Sequence, residues 1–526
     1  MHQPPARRPG AANRPDKLAL RVASAHPSRT HPRRDRPLGE RGRSRAEDHR
    51  ESFATCPAGR ARGADRKLGT ALARVLTPRL TVTERVVRGL LLVSLTAGTF
   101  ATLGAVTSYQ RLLPGVLFLV GAALSWRIKR SLQSRMLNLV VVSAWTALLV
   151  LSFVRFAADP ILPITSGVAI AVAFTVGSLA VFAAQALLAD VPAEVAAGRI
   201  RCALLAPAVF LVVNLVLYVA GISLPGSNAS DITVNNGDSE LLALIGIHGT
   251  RSSLPLVPGF NGSGAIAAIA VVTGWFLGRR LPRSFTRAFA RLSVALGLVV
   301  ILMVDSRGPL LWSILVIALI QVLAGQSKRV IAAVPLILPF GTTLVLAAVN
   351  ALSGASSVLS RQRGDFTNAT GRRQVWEVIQ NYLTSSPHAV DLIGYGAYGQ
   401  VTSGVGYRYA YLFNAASPEF SSAHNVALQT VLDTGYVGLA TLIAVYVVSV
   451  FAALTTYQFT AAPEPLAAAA AIICLVLLGT DEAIPSGLTL PTLLAATMIV
   501  FASIRRPGKG PRDHTSVAGQ RETAPG

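Results

Sequence analysis

Several arginines and one histidine stand where apolar runs of this chain meet polar connections, and their residue types point to chemistry on an anion. Arg251 precedes an apolar run, Arg307 sits in the tight turn Asp305-Ser306-Arg307, and Arg361, Arg363, Arg372, Arg373 and Arg408 lie in a polar interval of about seventy residues from Asn350 to Ala423. A guanidinium is a planar fork that makes paired hydrogen bonds to phosphate oxygens and keeps its charge at working pH, so convergent arginines suit a diphosphate. Any one of them could instead reach lipid phosphates. Arg372 and Arg373 open a stretch in which Val375, Trp376, Ile379, Tyr382 and Leu383 share one helical face, ended by Pro387. The spacing predicts an amphipathic helix whose N-terminal N–H groups reinforce an anion site. His424, in the word Ala423-His424-Asn425, closes the interval at the mouth of the next apolar run. An imidazole there can accept a proton from an attacking hydroxyl. The bland alternative is that His424 and Asn425 only cap a helix; otherwise Asn425 joins the substrate contacts. His248 is a second choice of base, and Gly394-Tyr395-Gly396-Ala397-Tyr398-Gly399 permits tight turning and close backbone approach to a ligand.

The elements that must position these groups are membrane spans. With 526 residues, 52% hydrophobic and only 14% charged, at a mean hydropathy of +0.51, the chain is too apolar for an ordinary soluble protein. A spanning helix needs about twenty apolar residues. Runs of that order occur at 87–106, 111–127, 136–156, 162–185, 203–222, 260–278, 286–304, 308–324, 330–350, 424–455, 464–483 and 487–504. The expected fold is therefore all-α, a polytopic transmembrane bundle of about 12 spans over residues 87–504. Extracytoplasmic loops are expected at 223–259 and 351–423, the second with short amphipathic helices.

Orientation follows from Lys and Arg placement. Arg127, Lys129, Arg130 and Arg135, then Arg279, Arg280, Arg283, Arg287 and Arg291, then Lys328 and Arg329 all fall on even-numbered connections, which are thereby cytoplasmic. Both termini then face inward in the plasma (inner) membrane, and the turn at 305–307 faces out with the two long loops. Of the 48 Lys and Arg residues 21 lie at or before Arg88, with 8 acidic residues, so this stretch supplies +13 of the net +23. Residues 1–86 read as a disordered basic cytoplasmic tail, and 505–526 as a second one. No stacking aromatics are interleaved with these cations, so the tail points to solvent or lipid headgroups and not to nucleic acid. Cys56, Cys202 and Cys474 have no metal-binding spacing. The outward loops carry no Asp-x-Asp; Asp231, Asp238 and Glu240 leave only a weak cation site open. Neither a metal nor a cofactor is expected.

Taken in order, Arg251 ahead of Gly259-Phe260-Asn261, Ser306-Arg307-Gly308 opening a span, Thr370-Gly371-Arg372 with Trp376, Gly394-Tyr395-Gly396, and His424-Asn425 with Gly435-Tyr436-Val437-Gly438-Leu439 resemble the O-antigen ligase and polymerase superfamily over residues 245–440. The resemblance implies a membrane glycosyltransferase that moves a glycan from a polyprenyl-diphosphate donor to a sugar or lipid-glycan hydroxyl on the outer face. It also implies His424 as base or acceptor contact and Arg251 and Arg372 as diphosphate ligands, with Arg307 and Arg373 in support. The chain departs from the family's usual Pro-Asn at the sixth span, reading Gly259-Phe260-Asn261-Gly262.

Arginines can neutralise a diphosphate leaving group without a dedicated acid, so a single base suffices and one-step displacement inverts the anomeric carbon. Glu419 is the nearby carboxylate that would compete with that reading as a nucleophile. A transporter or flippase of lipid-linked saccharides is the alternative. It would draw on Asp481 and Glu482 at the end of the eleventh span.

Overall fold

A computed structural model describes residues 81–97, 113–126, 183–188, 191–222, 239–244, 246–248, 251–252, 254–256, 260–326, 372–385, 388–396, 398–413 and 423–479, with single residues within 140–151 and 497–501. All of them belong to the unit Arg79–Gly526. Regular structure among the described residues is entirely helical. It runs through α1 (Val82–Ala97), α2 (Leu113–Trp126), α3 (Ala193–Val219), α4 (Glu240–Leu244), α5 (Phe260–Arg280), α6 (Phe285–Met303) and α7 (Arg307–Ala324). The chain then continues through α8 (Arg372–Ser385), α9 (His388–Ile393), α10 (Gly399–Thr402), two 3-10 turns at Val405–Arg408 and Ala410–Phe413, α11 (Val426–Thr460) and α12 (Pro463–Leu478). Five of these, α3, α5, α6, α7 and α11, are long and apolar enough to cross a membrane. The expected spans at 330–350 and 487–504 lie wholly or largely outside the described residues, as do most of 136–156 and 162–185. So do the tails before 81 and after 501, and Asp231, Asp238, Arg361, Arg363, Glu419, Asp481 and Glu482.

Small residues let the bundle pack closely. Ala267, Ala268 and Ala270 of α5 and Ala467 to Ala471 of α12 are fully buried, the composition that lets helix backbones approach where lipid offers no competing hydrophobic gain. A hydroxyl stitches one such contact: Ser293 Oγ of α6 donates to the Ala270 carbonyl at 2.7 Å, while Thr273 Oγ1 of α5 lies 3.0 Å from the Leu204 carbonyl of α3 and 2.8 Å from the Ile269 carbonyl of its own helix.

Two helices begin earlier than hydropathy suggests. α3 starts at Ala193 instead of 203, and α1 at Val82, taking in residues 82–86 that the sequence reading leaves in the tail. The reason is a buried charge pair. Arg199 of α3 is wholly buried, and its guanidinium donates to the Glu84 carboxylate of α1 at 2.6 Å, to Ser125 Oγ of α2 at 2.7 Å and to the Leu187 carbonyl at 2.5 Å. Arg88 adds a second donor to Glu84 at 2.8 Å. A charge at this depth persists only when it is paired and hydrogen-bonded, and with Nε also on Glu84 these contacts engage all three guanidinium nitrogens.

Contacts between helix ends fix the sense of the bundle. At one end Arg280, closing α5, stacks its guanidinium over the Tyr457 ring near the end of α11, and Gln458 Nε2 donates to the Gln326 carbonyl beyond α7 at 2.7 Å. Arg201 near the start of α3 pairs with Glu464 at the start of α12 at this same end. The N-termini of α5, α7 and α11 therefore share the opposite end with the C-termini of α3, α6 and α12, where the Val426 N–H donates to the Gly479 carbonyl.

α11 is not continuous. Gly435, at φ 69° and ψ −172°, breaks it after two turns, in backbone space open to glycine. The Leu432 and Asp433 carbonyls next to the break accept from the Tyr395 and Gly396 N–H groups at 2.7 and 2.9 Å. Gly394, at φ 76°, lies so close to the backbone of residues 433–435 that a Cβ would collide with it. The glycine-tyrosine tract thus makes the close approach its composition suggests, but to the broken helix.

Removing Arg199 takes from the buried Glu84 carboxylate its wholly buried partner and leaves it Arg88. Arg199→Leu is expected to cost about 3–5 kcal/mol, while the apolar-compatible double change Glu84→Gln with Arg199→Met recovers most of it. Thermal unfolding of the purified protein in detergent checks both.

Candidate functional site

The end of the bundle that carries the N-termini of α5, α7 and α11 also carries the candidate groups. α6 terminates there in a Schellman cap: the Asp305 N–H donates to the Leu302 carbonyl at 3.2 Å and the Ser306 N–H to the Ile301 carbonyl at 3.1 Å. Asp305 takes the left-handed position, φ 50°, that such a cap usually gives to glycine. Further bonds to the last carbonyls of α6 come from the 223–259 connection. Ser239 Oγ donates to the Leu302 carbonyl at 3.1 Å, the Ser252 N–H to the Met303 carbonyl at 3.0 Å, and Arg251 Nε to the Val304 carbonyl at 2.7 Å. A cation at a helix C-terminus gains from the macrodipole as well as the hydrogen bond. Arg307 begins α7 from the same turn, its Nε 3.8 Å from Asp305 Oδ1. Arg251 and Arg307, far apart in sequence, are therefore held on one five-residue corner.

The second group forms around α8, whose buried face is Val375, Ile379 and Leu383. These pack with Val405, Tyr409, Ala423, Val431 and Leu432 in a small core separate from that of the bundle. Burial pushes the Tyr409 phenol above its ordinary value, with the Asp433 carboxylate adding to the rise, so the ring keeps its proton. Tyr382 ties the layer together: its hydroxyl donates to the Ser403 carbonyl at 3.0 Å, and Arg408 lies over its ring at 5.2 Å. Trp376 Nε1 donates to the Ala423 carbonyl at 3.1 Å, joining α8 to the residue before His424. Arg372 is half-buried, one turn before Trp376 on the same helical face, and so at the edge of the His424 segment.

His424 is half-buried with φ 46°, a left-handed conformation for a residue with a Cβ. Such strain persists only where the surroundings enforce it, and it concentrates at functional positions. Asn425 is the N-cap of α11, its Oδ1 accepting from the Ala427 and Leu428 N–H groups at 2.9 and 3.1 Å. This capping use leaves its side-chain amide as the group that could meet a ligand. Arg373, in contrast to Arg372, is exposed and paired with Glu377 at 2.8 Å. His248 is exposed.

Residues 292–443, from within α6 to beyond the break in α11, match the family model described as O-Antigen ligase. Over this stretch the chain is similar to the O-antigen ligase family. No curated protein matches the chain. The matched stretch contains Arg307, Arg372, Arg373, His424 and Asn425, whereas Arg251 reaches it from outside through the Val304 carbonyl. The match and the five helices long and apolar enough to cross a membrane together fit a membrane protein that carries a domain of this type.

Gln400, Gln429 and Asp433 are the residues of the matched stretch that sequence reasoning passed over. Gln429 and Asp433 carried a usable signal, two polar residues four apart inside an apolar run, where a polar group normally earns its place by a partner. The strain at 424 has a direct consequence. His424→Gly is expected to be more stable than His424→Ala by about 1 kcal/mol, because glycine adopts φ 46° without a Cβ penalty. Thermal unfolding of the two variants compares them, and equal stability would count against the enforced conformation.

Proposed function

We propose that the chain is a membrane glycosyltransferase that moves a glycan from a polyprenyl-diphosphate donor to a sugar or lipid-glycan hydroxyl at the outer face of the plasma membrane. The observation that carries the reading is a strained histidine within the stretch similar to the O-antigen ligase family, at the end of the bundle where Arg251, Arg307 and Arg372 are also held at helix termini. In the proposed step the acceptor oxygen attacks the anomeric carbon, His424 takes the hydroxyl proton, and the bond from that carbon to the diphosphate oxygen breaks. The electron pair leaves with the polyprenyl diphosphate, whose growing charge Arg372, Arg251 and Arg307 neutralise, with Arg373 and the Asn425 amide at the margin of the site. Because the arginines take the leaving group's charge, no metal and no cofactor is required, and one displacement inverts the anomeric centre.

The two arginine groups fit a diphosphate better than a single phosphate, since they belong to separate elements and can meet separate phosphoryl groups. The inward basic rim agrees with this orientation: five arginines from Arg279 to Arg291 lie in or beside the α5–α6 connection at the other end.

Reconstitution of the full chain with a polyprenyl-diphosphate glycan extracted from the source cells, followed by gel analysis of the glycan product, tests the reading. His424→Ala is expected to lower the rate on the order of 10²-fold to 10⁴-fold. Arg372→Ala should lower it on the order of 10²-fold to 10³-fold, and Arg373→Ala, whose charge Glu377 already engages, less. Normal product from the first two variants would exclude this site, and flipping of labelled lipid without new glycan would favour a transporter.

A further inference from the structure

The buried amide of Gln429 forms a network that the proposed chemistry does not use. Its Oε1 accepts from the Ala423 N–H at 3.1 Å, while its Nε2 donates to Gln400 Oε1 at 2.7 Å and to Asp433 Oδ1 at 2.8 Å. Asp433 Oδ1 also accepts from the Gly399 N–H at 2.8 Å. The orientation of the amide follows from the Asp433 carboxylate and the Ala423 N–H, because the reverse assignment would set its oxygen against a carboxylate and its NH2 against an N–H. Gln400 and Gln429 are both buried, so none of these bonds exchanges readily with water.

The consequence falls on one peptide. Ala423 is held on both sides, its N–H by Gln429 and its carbonyl by Trp376 Nε1. The next residue is His424 at φ 46°, and the one after it is locked as the N-cap of α11. Left to itself a histidine would relax toward negative φ. Clamped before and after, it cannot. The clamp is anchored at the Gly435 break, since Asp433 also contributes the carbonyl that accepts from the Gly396 N–H.

We propose that Gln429 is a positioning residue for His424, with Asp433 and Gln400 orienting its amide, so that the imidazole is held in one conformation at the end of the bundle. This rests on the transferase reading for its kinetic consequence, but the geometric claim can be judged without it. Asp433 serves here as a hydrogen-bond acceptor, which an amide oxygen can replace.

The experiment uses the full chain in detergent and reads two quantities. Diethyl pyrocarbonate labelling of His424, followed by mass spectrometry, reports the setting of the imidazole without any substrate. Gln429→Leu is expected to change the labelling rate from that of wild type while the far-ultraviolet helical signal is kept. Gln400→Leu, which removes a single acceptor, is the second variant should the first fail to fold. With the extracted polyprenyl-diphosphate glycan as donor, Gln429→Leu is expected to lower kcat on the order of tenfold to a hundredfold with donor KM little changed, the mark of a misplaced base. Asp433→Asn, which keeps the acceptor, should recover most of what Asp433→Leu loses. Unaltered His424 labelling in folded Gln429→Leu or Gln400→Leu overturns the proposal, as does an Asp433→Asn variant as inactive as Asp433→Leu. Altered labelling in a chain whose wild type makes no glycan would retain the positioning role and reject the transferase.

Discussion

The break in α11 at Gly435 is the constraint on which the rest of the candidate site depends. An unbroken helix would use the Leu432 and Asp433 carbonyls for its own ladder; broken, it presents them to the Tyr395 and Gly396 N–H groups. That exchange fastens the 394–400 tract to the helix, brings Gln400 to Gln429, and so fixes the Ala423 peptide between Gln429 and Trp376. A side chain at 435 would meet the Leu392 carbonyl, so the same glycine that permits the break also permits α9 to lie against it. Position and strain at His424 thus trace back to one backbone dihedral in a neighbouring turn.

The Arg251 and Arg307 corner follows a parallel logic. A helix end inside a membrane bundle leaves carbonyls that must be satisfied, and here the acceptors of α6 are met by Ser239, Arg251 and Ser252. Satisfying the backbone therefore delivers cations to the end of the bundle where the anion is proposed to sit. At the opposite end the Glu84, Arg88, Arg199 and Ser125 cluster holds α1, α2 and α3 together, so charge is used there for cohesion.

Much of this was legible in the chain wherever a single element carries the signal. The stripe of Val375, Ile379 and Leu383 has helical spacing and forms the buried face of α8. Ala423-His424-Asn425 marks the start of α11, and the turn at 305–307 lies between two helices as expected. What escaped is pairwise. The early start of α3 depends on Arg199 finding Glu84, 115 residues away, and hydropathy counts both as interruptions. The break at Gly435 reads in sequence like any glycine in an apolar run, since its cause is the backbone of residues 392–396 approaching from another element. The roles of Gln429 and Asp433 depend on partners, Gly399, Gln400 and Ala423, that come from a loop whose path the sequence does not display.

The central claim is a single displacement at the anomeric carbon, with the His424 imidazole as base and arginines in place of a covalent nucleophile. The most direct measurement is the anomeric configuration of the newly formed glycosidic bond, read from its proton coupling constant and compared with that of the donor diphosphate. The account expects the opposite configuration in the product. Retention of the donor configuration would contradict it and require a carboxylate nucleophile that this site, as described, does not use.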